Sequence, residues 1–148
     1  MSQLLTTDAQ ISDLIGRVHR IAVLGIKPES AAGQPAHDVP SLLQARGFEI
    51  VPVPVYYPDA THILGVPVYR TVAAIPGPLD LVQVFRRSSD VAAHLPDLLA
   101  ARPKAVWLQL GIRDDAVAEA LAAAGIAVVQ DRCLKIELLA REAGRAPA

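Results

Sequence analysis

The side chains able to do chemistry in this chain stand just after short apolar runs. Lys27 and Ser30 lie in the loop GIKPESAAGQPAHD, which follows the run IAVLG and leads into a helix. Such a loop offers backbone N–H groups and a positive dipole end to an anion, and Lys27 and Ser30 add donors. The plainer reading is a surface loop with a solvated lysine. Phe85-Arg86-Arg87 closes another apolar run, and two arginines there suit bidentate pairing with phosphate. A basic pair ahead of a Ser88-Ser89-Asp90 helix cap is an equally ordinary surface feature. His37, near the start of the helix that follows the first loop, reads either as an anion donor or as a plain loop histidine. Cys133 is the single thiol and sits among Asp131, Arg132, Lys135 and Glu137. Arg132, Lys135 or a helix N-terminus would activate it, but no partner base is identifiable. It reads first as a structural cysteine. No Ser-His-Asp set or carboxylate pair can be assembled, so no catalytic residue is assigned. The four histidines, at 19, 37, 62 and 94, have no metal-ligand spacing, and no metal site is expected.

The first loop invites a test against the dinucleotide turn GxGxxG, whose three glycines serve the turn, the pyrophosphate approach and the helix contact. Counting from Gly25, the third and sixth places are Lys27 and Ser30. A P-loop fails as well, because it needs glycine then lysine at Ser30 and the position after it. An NAD site also places an acidic residue after the second strand, where this chain reads Val53-Pro54-Val55-Tyr56-Tyr57. Ordinary NAD binding is therefore disfavoured.

These residues must be held by a chain of 148 residues, 52% of them hydrophobic, which is the size of one domain with a real core. Fourteen Lys and Arg against fifteen Asp and Glu leave a formal charge of −1, too balanced for a protein that grips a nucleic-acid backbone. Any basic site must be local. The N-terminus has no basic start with a long apolar core, and no stretch approaches a membrane span, so a cytoplasmic protein is expected.

Ile11, Leu14, Ile15 and Val18 follow helical spacing after a cap at Thr7 or Asp8. IAVLG predicts a strand buried on both faces. A helix is expected next, capped by Asp38 with Pro40 in its first turn and ended by Gly47. EIVPVPV is extended, and its prolines place it where a ladder can spare donors. The stretch from His62 predicts a loop, a very short strand at Pro67 to Tyr69 and one helical turn. LDLVQVF is a strand, and Val91, Leu95, Leu98 and Leu99 mark a helix. KAVWLQL is a strand, Val117 and Leu121 belong to a helix stopped by Gly125, and IAVVQ is the last strand. Cys133 to Arg141 forms a closing helix. The alternation predicts a single α/β, doubly wound, Rossmann-like domain with a mainly parallel sheet and helices on both faces. Its core runs from about 20 to 140, after an N-terminal helical segment 1–19 and before a frayed tail, 143–148.

IAVLGIKPE, GQPAHDVPSLLQARGFEIVPV, HILGVPVYRTVAAIP, LVQVFRR, AVWLQLGI and VVQDRCLKIE, in that order, resemble the stand-alone CoA-binding domain proteins. These are relatives of the N-terminal domain of the succinyl-CoA ligase alpha subunit. The likeness runs from about Ile21 to Glu137. It implies CoA contacts at Gly25, Ile26, Lys27 and Ser30, then at Val53 and Pro54, then at Val84, Phe85 and Arg86, with Gln109 and Gly111 along the pantetheine path. Where the ligase pattern has a lysine after Val-x-Pro, this chain has Tyr56-Tyr57-Pro58; Lys27, Arg86 or Arg87 would have to substitute. The ligases carry their phosphorylated histidine and nucleotide site on further domains, which are not expected here. The resemblance therefore implies a CoA or acyl-CoA binder without catalysis of its own. Two alternatives stand: a thiol-dependent redox or acyl-transfer enzyme using Cys133, and an NAD-responsive interaction module. A homo-oligomer or an unidentified protein partner also stays open, with the apolar N-terminal helix as a candidate surface.

Overall fold

A computed structural model describes residues 3–144. Five parallel strands form one sheet: β1 (Arg20–Leu24), β2 (Glu49–Val53), β5 (Leu81–Val84), β6 (Ala105–Leu108) and β7 (Ala127–Val129), in the order β2-β1-β5-β6-β7. A small antiparallel hairpin, β3 (His62–Ile63) and β4 (Val66–Pro67), stands apart from it. The chain winds outward from β1 to β2, then returns to the other side of β1 to lay down β5. The order therefore reverses between β1 and β5, where doubly wound sheets open a crevice at their carboxyl ends.

Strand residues alternate between two apolar layers, as the period of two requires. Ile21, Val23, Ile50, Leu81, Trp107 and Val129 face α1 (Asp8–Arg17), α2 (Pro35–Ala45) and α6 (Leu134–Glu142). Ala22, Leu24, Val53, Val82, Val84, Val106 and Leu108 face the other layer, built on α3 (Ser88–Val91), α4 (Leu95–Ala101) and α5 (Asp115–Ala123). The doubly wound class expected from the alternation is the observed fold.

Thr7 caps α1 in a reciprocal capping box with Gln10. β2 is an edge strand, which is why Pro52 is tolerated in it. Several local expectations are corrected. α2 starts at Pro35, three residues before Asp38, because a proline is preorganised for the first helical position. Asp38 instead accepts from the Gly33 N–H at 2.9 Å. Pro40 falls inside α2 rather than in its first turn. The loop expected around His62 is the hairpin, whose tight turn places Leu64 and Gly65 at φ 53° and 74°. Its second strand is Val66–Pro67, and the segment after it closes a single hydrogen-bonded turn, Ile75 N–H to Val72 C=O, instead of a helical turn. The helix around Val91 to Leu99 is split into α3, a 3-10 turn at Ala92–His94, and α4. Ahead of α1, Leu4 bridges Val128, so the N-terminal segment lies along the β7 edge. Of the tail, Ala143 and Gly144 form a turn; 145–148 fall outside the described residues.

Candidate functional site

Gly25 ends β1 at the point where the strand order reverses. Its N–H donates to Val53 C=O at 2.9 Å, and the Phe85 N–H donates to Leu24 C=O at 2.8 Å. The ends of β1, β2 and β5 are thereby laced together. A Cβ on Gly25 would stand 2.2 Å from the Phe85 carbonyl oxygen, and its φ is +88°. Only glycine fits both the approach and the conformation.

Beyond this glycine opens a cleft of about 810 Å³, within the range of roughly 300–1,000 Å³ common for small-molecule sites. Its wall is Gly25 to Lys27 after β1, Gln34 to Ala36 at the start of α2, and Val55 to Tyr57 after β2. Phe85 to Arg87 after β5, Gln109 to Ile112 after β6, and Cys133 at the start of α6 complete it. Three cations, Lys27, Arg86 and Arg87, are in this lining, and no carboxylate is. Two of the large apolar side chains most exposed to solvent, Tyr56 and Leu110, stand on its rims.

The loop is tied down where it matters. Pro40 has no N–H to give to Ala36 C=O, the acceptor four residues back, and the Lys27 N–H takes that carbonyl at 3.1 Å. The proline inside α2 thus fastens the first loop to the helix. Lys27 Nζ donates to the Gln34 side chain, a neutral partner. Glu29 Oε1 accepts from the Leu64 N–H at 2.7 Å and docks the hairpin turn on the loop. That backbone bond is the main reason the Glu29 carboxyl lies below its ordinary pKa.

Arg86 is half sunk. Its Nε donates to His94 Nε2 at 3.2 Å, an Nη lies 3.6 Å from Asp90, and its guanidinium carbon stands 5.3 Å from the Tyr56 ring centre. Burial first, and the Arg86 charge second, lower the His94 pKa. Gln109, 5% exposed, accepts at Oε1 from the Gln83 side chain and the Leu134 N–H, both at 3.2 Å. The Leu134 N–H can only donate, so it fixes Oε1 as the end of the amide turned toward α6. Asp131 Oδ1 accepts from the Gly111 N–H at 2.7 Å and sets the turn after β6.

Of the residues singled out from sequence, Gly25, Ile26, Lys27, Phe85, Arg86 and Gln109 meet at this cleft, as do Gly111, Tyr56, Tyr57, Arg87 and Cys133. Val53, Pro54 and Val84 are buried beneath it and do not line it. Ser30, in a 3-10 turn at Glu29–Ala31, is exposed outside it. His37 is buried beside Asp38 and is not in the lining; its Nε2 has no partner among the described residues. Gln34, Pro35, Ala36, Val55, Leu110 and Ile112 also line the cleft, though no chemical motif marks them. Their common signal is position, directly after a strand or at a helix start. Among the described residues no group of His, Cys, Asp and Glu is placed to hold a metal ion, and no helix is long and apolar enough to cross a membrane.

A family model described as CoA binding domain matches residues 19–138. The chain belongs to the CoA-binding domain family. The CoA-binding domain chain is 31% identical over 128 residues to the protein YneT of Bacillus subtilis (strain 168), covering 86% of this chain and 91% of YneT. The solved structure of cell-free ID.343 from Thermus thermophilus superposes with a TM-score of 0.81 at 36% identity, covering 90% of this chain and 98% of that one. Prb, the PH1109 protein redesigned for binding, gives 0.83 at 25% identity over 97% and 96%.

Proposed function

We propose that this CoA-binding domain holds CoA or an acyl-CoA in the cleft at the carboxyl edge of its sheet, and catalyses no reaction by itself. The observation that carries the reading is a cleft lined by three cations and no carboxylate in a chain of formal charge −1. A ligand with several phosphates and an apolar body suits such a wall, and CoA has both. Its phosphates meet Lys27, Arg86 and the start of α2, where Gly25 leaves room for close backbone approach. Tyr56 offers a ring face to adenine, and the pantetheine arm runs past Phe85 and Gln109 toward Cys133. Ile26 supports the first loop; Val53, Pro54 and Val84 act from beneath, and Ser30 makes no contact. The protein works in the cytoplasm, alone or with a further copy or protein partner.

Titration calorimetry with CoA, acetyl-CoA, NAD and ATP tests this. CoA and acetyl-CoA are expected to bind more tightly than NAD or ATP; binding of NAD with no heat from either CoA species overturns it.

One observation favours a second reading. Cys133, the single thiol, lines the same cleft. Its thiolate would attack the disulfide of a CoA dimer, forming a protein–CoA mixed disulfide and releasing one CoA thiolate. Intact mass after exposure to CoA disulfide decides: one added CoA supports thiol chemistry, and an unmodified chain removes it.

A further inference from the structure

The three groups around Arg86 leave it a single free edge. His94 and Asp90 engage Nε and Nη2, which share one edge of the guanidinium, while its carbon stands over the Tyr56 ring, 5.3 Å from the ring centre. The end formed by Nη1 and the outer hydrogen of Nη2 remains, the geometry that meets a phosphate with two parallel hydrogen bonds. An imidazole that accepts at Nε2 is neutral and carries its proton on Nδ1. Asp90 and His94 stand four residues apart on the helical segment that follows β5, so one segment sets both contacts.

We propose that neutral His94 is a positioning residue for anion binding: it turns the free edge of Arg86 toward the cleft, and protonation of His94 withdraws that edge from the ligand. This rests on the CoA reading of the cleft. Imidazolium has no lone pair for the Arg86 N–H and adds a like charge beside it. The charged groups that face His94 are Arg86 at the end of β5, Asp90 on α3 and Asp97 on α4; the two carboxylates favour protonation, while burial and Arg86 oppose it more strongly. At neutral pH the accepting form is therefore the one present.

The sign separates this account from simple charge addition. A histidinium that only contributed positive potential would strengthen CoA binding in acid; a histidinium that unseats Arg86 weakens it. Calorimetry with CoA on the unaltered protein, His94→Ala and His94→Gln, at about pH 7.5 and about pH 5.5, reads the difference. Glutamine places a non-titrating acceptor near the position of Nε2. The 3′-phosphate of CoA titrates near pH 6 for every protein alike, so only differences between proteins count. At the higher pH, His94→Ala is expected to weaken CoA about tenfold, and His94→Gln less than about threefold. At the lower pH the unaltered protein should lose about three- to tenfold relative to His94→Gln. Equal affinity of His94→Ala and the unaltered protein at the higher pH, or a gain over His94→Gln in acid, overturns the role of His94. Absence of CoA binding by the unaltered protein at the higher pH overturns the CoA reading itself.

Discussion

At the amino end of the sheet, Arg20 donates to Glu49 at 2.8 Å and to the carbonyls of Pro76 and Pro78. Asp80 there accepts from the His19 and Arg20 N–H groups, both at 2.9 Å, with Lys104 at 3.2 Å. At the carboxyl end, Arg86 and Arg87 share the one carboxylate of Asp90, and Lys27 bonds to a neutral amide. The first arrangement closes its charges on the protein, and the second leaves positive charge for something else. Matched charge at one edge serves the fold, and surplus charge at the other is the mark of a ligand site.

The sharpest break of this contrast lies at Gly25. Gly25→Ala forces a Cβ against the Phe85 carbonyl at a positive φ, and is expected to destabilise by about 3 kcal/mol or more in denaturant unfolding while abolishing CoA binding. A paired substitution then separates the edges. Arg86→Ala should weaken CoA about 10- to 100-fold in calorimetry and lower the unfolding midpoint by less than Asp80→Ala does. Asp80→Ala should do the reverse, costing about 2 kcal/mol of stability because two backbone donors lose their acceptor, with CoA affinity retained. If the two variants affect both properties alike, the division of labour is wrong.

Acid should dismantle the two edges in sequence. His94 has a lowered pKa, from burial and then Arg86, so its contribution to stability is full above the ordinary value of about 6.5 and is lost as pH falls toward the folded value. Burial alone would raise the Asp80 carboxyl, but the N–H groups of Arg20 and His19 and the Lys104 ammonium outweigh it and hold it low. Its contribution is full above about 3.9 and goes only as pH drops below that. Urea midpoints against pH should show two separate declines, the first reduced by His94→Gln and the second reduced, though not removed, by Asp80→Asn, because Glu29 and Asp38 are held low as well.

The smallest effect belongs to Pro40. Pro40→Ala restores a helix donor that competes with the Lys27 N–H for Ala36 C=O, so CoA should weaken a few-fold, about 0.5–1 kcal/mol, while α2 gains stability.

The five sheet strands were legible because each is a short apolar run bounded by a turn residue, and the cleft was legible because strand ends in this fold class converge. Arg86 and Lys27 stand just past such strand ends, in the cleft lining. What was hidden depended on contacts distant in sequence. Nothing local announces that Leu64 adopts a left-handed turn, since the bond from its N–H to Glu29 crosses 35 residues. Pro35 and Pro40 both suit a first turn, and their order along α2 is settled by Lys27 reaching back to Ala36. Val53 and Val84, which the family resemblance implies as contacts, point into the core by strand parity, and the residues just past the strand ends line the cleft.

The central claim is tested most directly by a crystal structure of the protein with CoA. The account predicts density for CoA at the carboxyl edge, with phosphate oxygens within hydrogen-bond distance of Lys27 and the outer edge of Arg86, and the thiol end on the Cys133 side. CoA seated elsewhere, such as the groove between Leu4 and Arg132, or phosphates that leave Arg86 uncontacted, would contradict it.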